Sequence, residues 1–429
     1  MPGRAASRWT VLIVGLALLA PAVASASAGT VPRAAPVVGG EFLISDTAAV
    51  ADEASPAVAS SGTGYLVVWE DLRDEGTSGV DVYGQLLSAT GAPIGHDFRI
   101  SDAAGAADEQ RPAVAWNGSE YLVVWEDLRK WDTRGADIYG RRVSAAGALL
   151  APGIRMSGPG ATDYESEPAI AWSGSEYLVV WRDERNSQDR GTDIHGRLVS
   201  AAGAPTGFDA RISGTNATAD EAVPDVAWSG SNFLVVWQDS RNSDDRGDDV
   251  RGRLVSPAGT PLGRDRRISG TNAIADDLAP ALAGNGTDFL VVWEDWRMNP
   301  GRQTDIYARL VSSAGAPIGA NFRVCGPGAQ GWDWAPAIAW DAGAGQYLVV
   351  WQDERNWDTR GADIYGRRVD PTGARIGGDF RVSGPAATAF EYQPEVAWSG
   401  TEHLVVWQDA RGEPTSGRDV WGRRVDLVP

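Results

Sequence analysis

From residue 53 onward the chain alternates short apolar runs with polar turns. In one stretch the runs read PAVAW (Pro112–Trp116), YLVVWED (Tyr121–Asp127), DIYGRRVS (Asp137–Ser144) and GIRMS (Gly153–Ser157). They are rich in Val, Ile, Tyr and Trp, and NGS, a polar loop, AAGA and GPGATDYESE separate them. Runs of this length and composition, bounded by turn residues, predict four strands. No segment carries apolar positions at helical spacing.

This four-strand unit recurs. The tryptophan of LVVW falls at Trp69, Trp125, Trp181, Trp237, Trp293, Trp351 and Trp407, at intervals of 56 residues and once of 58. The two additional residues sit in the turn DAGAGQ (Asp341–Gln346), where other units have four-residue turns such as NGSE. Seven such units predict an all-β fold, a seven-bladed β-propeller of four-stranded antiparallel blades. The chain ends support this. The seventh unit stops at DVWGRRVDLVP without a fourth strand, and an unpaired GEFLIS (Gly40–Ser45) near the start matches the FRIS strands elsewhere. An N-terminal strand completing the last blade would close the ring, whereas an open solenoid would need caps, and none is visible. The expected division is a leader at 1–28, a linker at 29–39 and the propeller at 40–429.

Composition places the chain outside the cytoplasm. Arg4 and Arg8 precede an apolar run, Thr10–Ala24, followed by small residues at Ala26 and Ala28. This is the pattern of a secretory signal peptide, and the run is shorter than the roughly 20 residues of a membrane span; a retained N-terminal anchor is the alternative. Export to the cell surface or beyond is therefore expected. The formal charge is −19, and removing a leader with two arginines and no acids makes it −21. Such acidity disfavours nucleic acid and anionic membrane surfaces as partners, leaving cations, basic proteins and neutral glycans. With Cys325 as the single cysteine, an internal disulfide is excluded.

The polar chemistry is mostly sevenfold. Asp and Arg follow each motif tryptophan at alternate positions, from Asp71 and Arg73 to Asp409 and Arg411, and a further aspartate opens each third strand, from Asp81 to Asp419. Alternation puts Trp, Asp and Arg on one side of the strand, and an arginine fork can bridge two carboxylates. The expectation is a scaffold clamp in which this Arg ties the two aspartates together. A third set of acids precedes the first strands: Glu53, Glu109, Glu165, Glu221, Asp277, Asp333 and Glu391. With three acids per unit against at most two arginines, this set could form a ring on the axis holding a hard cation such as calcium. No DxDxDG loop accompanies it, and no other cofactor is expected.

Ligand recognition is better sought where the units differ. The loop before the sixth unit reads WDW (Trp332–Trp334) and that before the seventh FEY (Phe390–Tyr392), where others read ADEAS or ADEQR. Trp296 and Trp357 fall in the neighbouring loops of units 5 and 6, and Trp131 and Tyr164 form a thinner second patch. Rings beside carboxylates and guanidinium groups suit a sugar, and equally a protein hot spot; packing between loops is the alternative. His96, His195 and His403 occupy different units and suggest neither a metal site nor a triad, and Cys325 replaces the serine of RIS. No phosphate-binding loop, dinucleotide motif or zinc spacing occurs.

The repeat spelling YLVVWxDxR…DIYGxRV…G resembles that of bacterial secreted β-propeller repeat proteins across all seven units, a resemblance that implies no particular reaction. Sialidase-like propellers are similar in architecture only, because their S-x-D-x-G-x-x-W box is missing. The expected function is a secreted, non-catalytic propeller recognising a glycan or extracellular protein through Trp296, Trp332, Trp334, Trp357, Phe390, Tyr392 and Trp131. A polysaccharide hydrolase or lyase and a structural surface module are the alternatives.

Overall fold

The computed structural model describes residues 35–45, 51–102, 107–160, 163–214, 218–270, 275–297, 304–326, 331–385, 389–413 and 417–427; the expected leader lies outside them. The described residues form seven four-stranded antiparallel sheets, the blades of a propeller. Six blades are built from consecutive strands. The seventh pairs Val37–Leu43 with Asp419–Asp426, Val38 facing Val425 and Leu43 facing Trp421, so the N-terminal strand closes the ring as expected. Pairing begins at Val37, three residues before the expected boundary, because a bulge at Gly39 and Gly40 carries the ladder past the glycines.

The unbroken apolar run YLVVW follows from burial on both faces of the second strand. Leu66 and Val68 of blade 1 pack against Tyr121, Val123 and Trp125 of blade 2, whereas Val67 and Trp69 face the closing blade. The core is thus seven layers, one between each pair of blades. Truncating one of these side chains to alanine should cost about 2–5 kcal/mol. The fourth strand of blade 2 is regular only over Ile154–Arg155, with Leu149 bridging Val143 further out.

First strands begin three residues earlier than the apolar pattern suggests, at Glu109 rather than Pro112 in blade 2. The cause is a bulge. The ladder runs from Gln110 opposite Glu126 to Ala113 opposite Val124, and the extra residue, Arg111, is left-handed with φ 50°. Ser55, Glu167, Val223, Ala279, Ala335 and Gln393 repeat this at φ 45–56°, each just before a proline, at a cost on the order of 1–3 kcal/mol apiece. Carboxylates offset part of it: Glu70 accepts the Arg111 N–H at 2.7 Å and Glu294 the Ala335 N–H at 2.8 Å. Blade 3 has Arg182 at the acceptor position, and Glu167 instead accepts the Val223 N–H at 2.7 Å. These bulges and the following Pro-Ala segments line an axial channel of about 500 Å³.

Candidate functional site

Of the two motif aspartates the arginine grips the first, and in several blades it also reaches a fourth-strand aspartate, as Arg73 does Asp97 at 2.7 Å. Asp71 accepts from the Arg73 backbone N–H at 2.9 Å, from Nε at 2.8 Å and from Nη2 at 2.6 Å, while the Trp69 indole donates to its Oδ2 at 3.0 Å. The same grip recurs at Asp127, Asp183, Asp239, Asp295, Asp353 and Asp409. In five blades the guanidinium also lies over an aromatic ring of the third strand, at 3.7–4.2 Å from Tyr83, Tyr139, Tyr307, Tyr365 and Trp421. His195 and Arg251 hold that place in blades 3 and 4.

The second aspartate has other partners, contrary to expectation. Asp137 binds Arg155 of the fourth strand at 2.5 Å and Arg134 of the helical turn Trp131–Arg134 at 2.7 Å. Asp363 does the same with Arg381 and Arg360. The closing strand offers Leu43 where other blades have this arginine, and burial with the nearby Asp409 charge pushes Asp419 up to about 6. Third-strand arginines face elsewhere again: Arg141, Arg197, Arg253, Arg309 and Arg423 donate to backbone carbonyls of the preceding blade.

The candidate metal acids are buried at the blade junctions, and none lines the channel. Glu53 accepts the Val420 N–H at 3.0 Å and Glu391 the Ile364 N–H at 3.2 Å. Burial pushes Glu53, Glu109, Glu165, Glu221, Asp277 and Glu391 up to about 8, and Asp333 well above its ordinary range. Burial thus disfavours their charged form, although Glu221 lies 3.2 Å from Arg241 and Glu109 3.6 Å from Arg129. The channel is lined by three other carboxyls, Glu167, Asp225 and Glu395, the last of them exposed.

The aromatic residues fall into three contacts across blade junctions. Trp296 of blade 5 meets Trp332 at 5.1 Å and Trp334 at 5.5 Å, and the latter two rings stack at 5.1 Å. Trp357 of blade 6 meets Phe390 at 4.6 Å, which stacks on Tyr392 at 5.8 Å. Trp131 of blade 2 meets Tyr164 edge-on at 5.5 Å, as a separate patch. Each junction replaces a structural aspartate: Asp108, Asp220 and Asp276 accept a backbone N–H of the preceding blade at 3.0 Å, and Tyr164, Trp332 and Phe390 stand at the equivalent positions.

The first two clusters meet at a cleft. Trp332 and Trp357 line a depression of about 600 Å³ together with Gly331, Glu354, Arg355, Asn356, Asp358 and Thr359. Trp357 is 47% exposed, whereas Trp296, Trp332 and Trp334 are half-buried. The helical turn Trp357–Arg360 presents Trp357, Asp358 and Thr359 outward and is fixed by Arg360, bound to Asp363 at 3.0 Å. Arg355, although at the cleft wall, spends its charge on Asp353 and Asp379.

A further group went unnoticed in the sequence. The Tyr164 hydroxyl donates a short hydrogen bond to Glu126, whose other oxygen accepts from Arg111 at 2.9 Å. Glu126 is fully buried, and burial raises its pKa. Unlike the clamp, this trio occurs in one blade junction. Its signal was present as Arg111 and Tyr164, both departures from the repeat, but their convergence depends on the bulge and on the blade twist.

No family model matches the chain, and no curated protein sequence matches it. Among solved structures, it is similar to an α-L-arabinanase of Penicillium chrysogenum complexed with arabinobiose (TM-score 0.53, 12% identity, covering 92% of this chain and 99% of that one). A protein of unknown function from Dyadobacter fermentans aligns with TM-score 0.52 and 10% identity over 91% and 99% of the two chains. The GH93 α-L-arabinofuranosidase of Fusarium graminearum, in complex with arabinobiose, aligns with TM-score 0.50 and 12% identity over 91% and 98%. At these identities the likeness is one of fold alone.

Proposed function

We propose that the protein is an exported glycan-recognition propeller whose saccharide sits in the blade 6 cleft. The observation that carries this reading is the composition of the cleft: the Trp332 and Trp357 rings with Glu354, Asn356, Asp358 and Thr359 around them. An indole face covers the apolar face of a sugar ring, and the polar groups bond its hydroxyls. The motif arginines and their first aspartates are bound to one another within the scaffold. Two propellers of similar fold described in complex with arabinobiose lend support to a saccharide ligand. The signal-peptide pattern and the repeat spelling of secreted bacterial propellers support export.

The test is a glycan array followed by calorimetry of Trp332→Ala/Trp357→Ala, with circular dichroism to verify the fold. The double variant should lose at least tenfold in affinity; unchanged binding contradicts the assignment. A second reading, polysaccharide hydrolysis, draws on the single Tyr164–Glu126–Arg111 trio, since catalysis uses singular groups with separated pKa values. Release of reducing sugar from arabinan or other purified polysaccharides by the intact protein, abolished in Glu126→Gln, would establish it.

A further inference from the structure

Resting on the reading of this cleft as a saccharide site, we infer that its ligand is cationic: a glycan bearing protonated or quaternary amines, such as an amino sugar without N-acetylation. The cleft offers two carboxylates, Glu354 and Asp358, and one guanidinium, Arg355. That guanidinium is already committed, with Nη2 at 2.5 Å from Asp353 and 3.2 Å from Asp379 and its plane 3.9 Å over the Tyr365 ring. Among the described residues neither Glu354 nor Asp358 has an ion-pair partner; Glu354 accepts hydrogen bonds from neutral groups, the Trp334 indole and, at 3.5 Å, the Gln352 amide. Indole faces attract cations, tryptophan most strongly, so both the rings and the carboxylates favour the same ligand charge.

The protein contains its own control. The second-blade loop Leu128–Arg134 spells LRKWDTR, and the sixth-blade loop Glu354–Arg360 spells ERNWDTR. Both end in the same exposed helical turn. At the two positions where they differ, Leu128 replaces Glu354 and Lys130, the single lysine of the chain, replaces Asn356, a change of two charge units. Blade 2 also has Asp108 where blade 6 has the second wall of the cleft, Trp332, and Asp108 is occupied with the Val80 N–H.

Three oligomers of one glucosamine backbone separate the claims: N-acetylated (neutral), N-trimethylated (fixed positive charge) and N-succinylated (negative). Calorimetry at neutral pH should show the trimethylated oligomer binding at least tenfold tighter than the acetylated one, about 1.4 kcal/mol. That preference should shrink severalfold in Glu354→Gln/Asp358→Asn, whose side chains are not part of the clamp, and at high salt. Equal or tighter binding of the acetylated or succinylated oligomer overturns the charge argument and leaves the saccharide site intact. Binding of none of the three, with neutral glycans bound on the array, also overturns the charge argument. Blank results in both assays overturn the saccharide reading itself.

Discussion

Blades 2 and 6 carry the same tryptophan-bearing turn, WDTR, on the same clamp, and in blade 6 it lines a cleft together with Trp332. In blade 2, Trp131 is 57% exposed and touches Tyr164 from the next blade. In blade 6, Trp357 backs onto Phe390 and looks across to Trp332, with Glu354 between. The turn is thus part of the scaffold, and what builds a site is the residue replacing the structural aspartate in the same blade's first loop. A tryptophan at 332 makes a second wall; Asp108 makes a hydrogen bond.

Breaking the shared part should have the largest effect. Asp127→Ala and Asp353→Ala each strand a partly buried guanidinium and a buried indole N–H, and should each cost about 3–5 kcal/mol in urea unfolding. A much smaller cost in either blade would mean that the two turns are not held alike. Next comes binding: Trp332→Ala or Trp357→Ala alone should weaken saccharide affinity by about 2 kcal/mol, the range of a hot-spot aromatic, and Trp131→Ala should leave it unchanged. Exchanging the charges sharpens the contrast further. Glu354→Leu/Asn356→Lys should reduce affinity for a cationic oligomer by roughly 1 kcal/mol, and Leu128→Glu/Lys130→Asn should create no second site, because the wall at 108 is absent.

The smallest effect per substitution concerns the junction acids, common to both blades. An acid whose pKa rises on folding from 4.5 to about 8, as for Glu109, binds more protons in the fold than in the unfolded chain. Its stabilisation is complete below the unfolded pKa and is lost as pH rises toward and through about 8. The melting temperature should therefore fall from pH 5 to pH 9. Glu109→Gln should lessen that fall by on the order of 1 kcal/mol, and Asp333→Asn should act in the same direction.

Much of the fold was legible because the repeat is sevenfold and the closing strand is its missing piece. The Trp, Asp and Arg spacing also disclosed the clamp, since alternation along a strand puts side chains on one side whatever the tertiary context. What could not be read was anything that crosses from one blade to the next. The second aspartate finds the fourth-strand arginine, not the nearer motif arginine. The acids before the first strands point into junctions rather than toward the axis, because a one-residue bulge follows each of them. The aromatic substitutions at 332, 357 and 390 were visible as departures from the repeat, but their division into two stacks flanking a cleft depends on blade-to-blade geometry.

The most direct test of the account is ¹⁵N–¹H NMR of the tryptophan side chains, with indole resonances assigned by single Trp→Phe variants, during titration with the tightest-binding oligosaccharide. The account predicts that the Trp332 and Trp357 indole signals shift together with one saturation curve while the Trp131 signal stays in place. Shifts confined to Trp131, or none at Trp332 and Trp357 while the oligosaccharide binds, would contradict it.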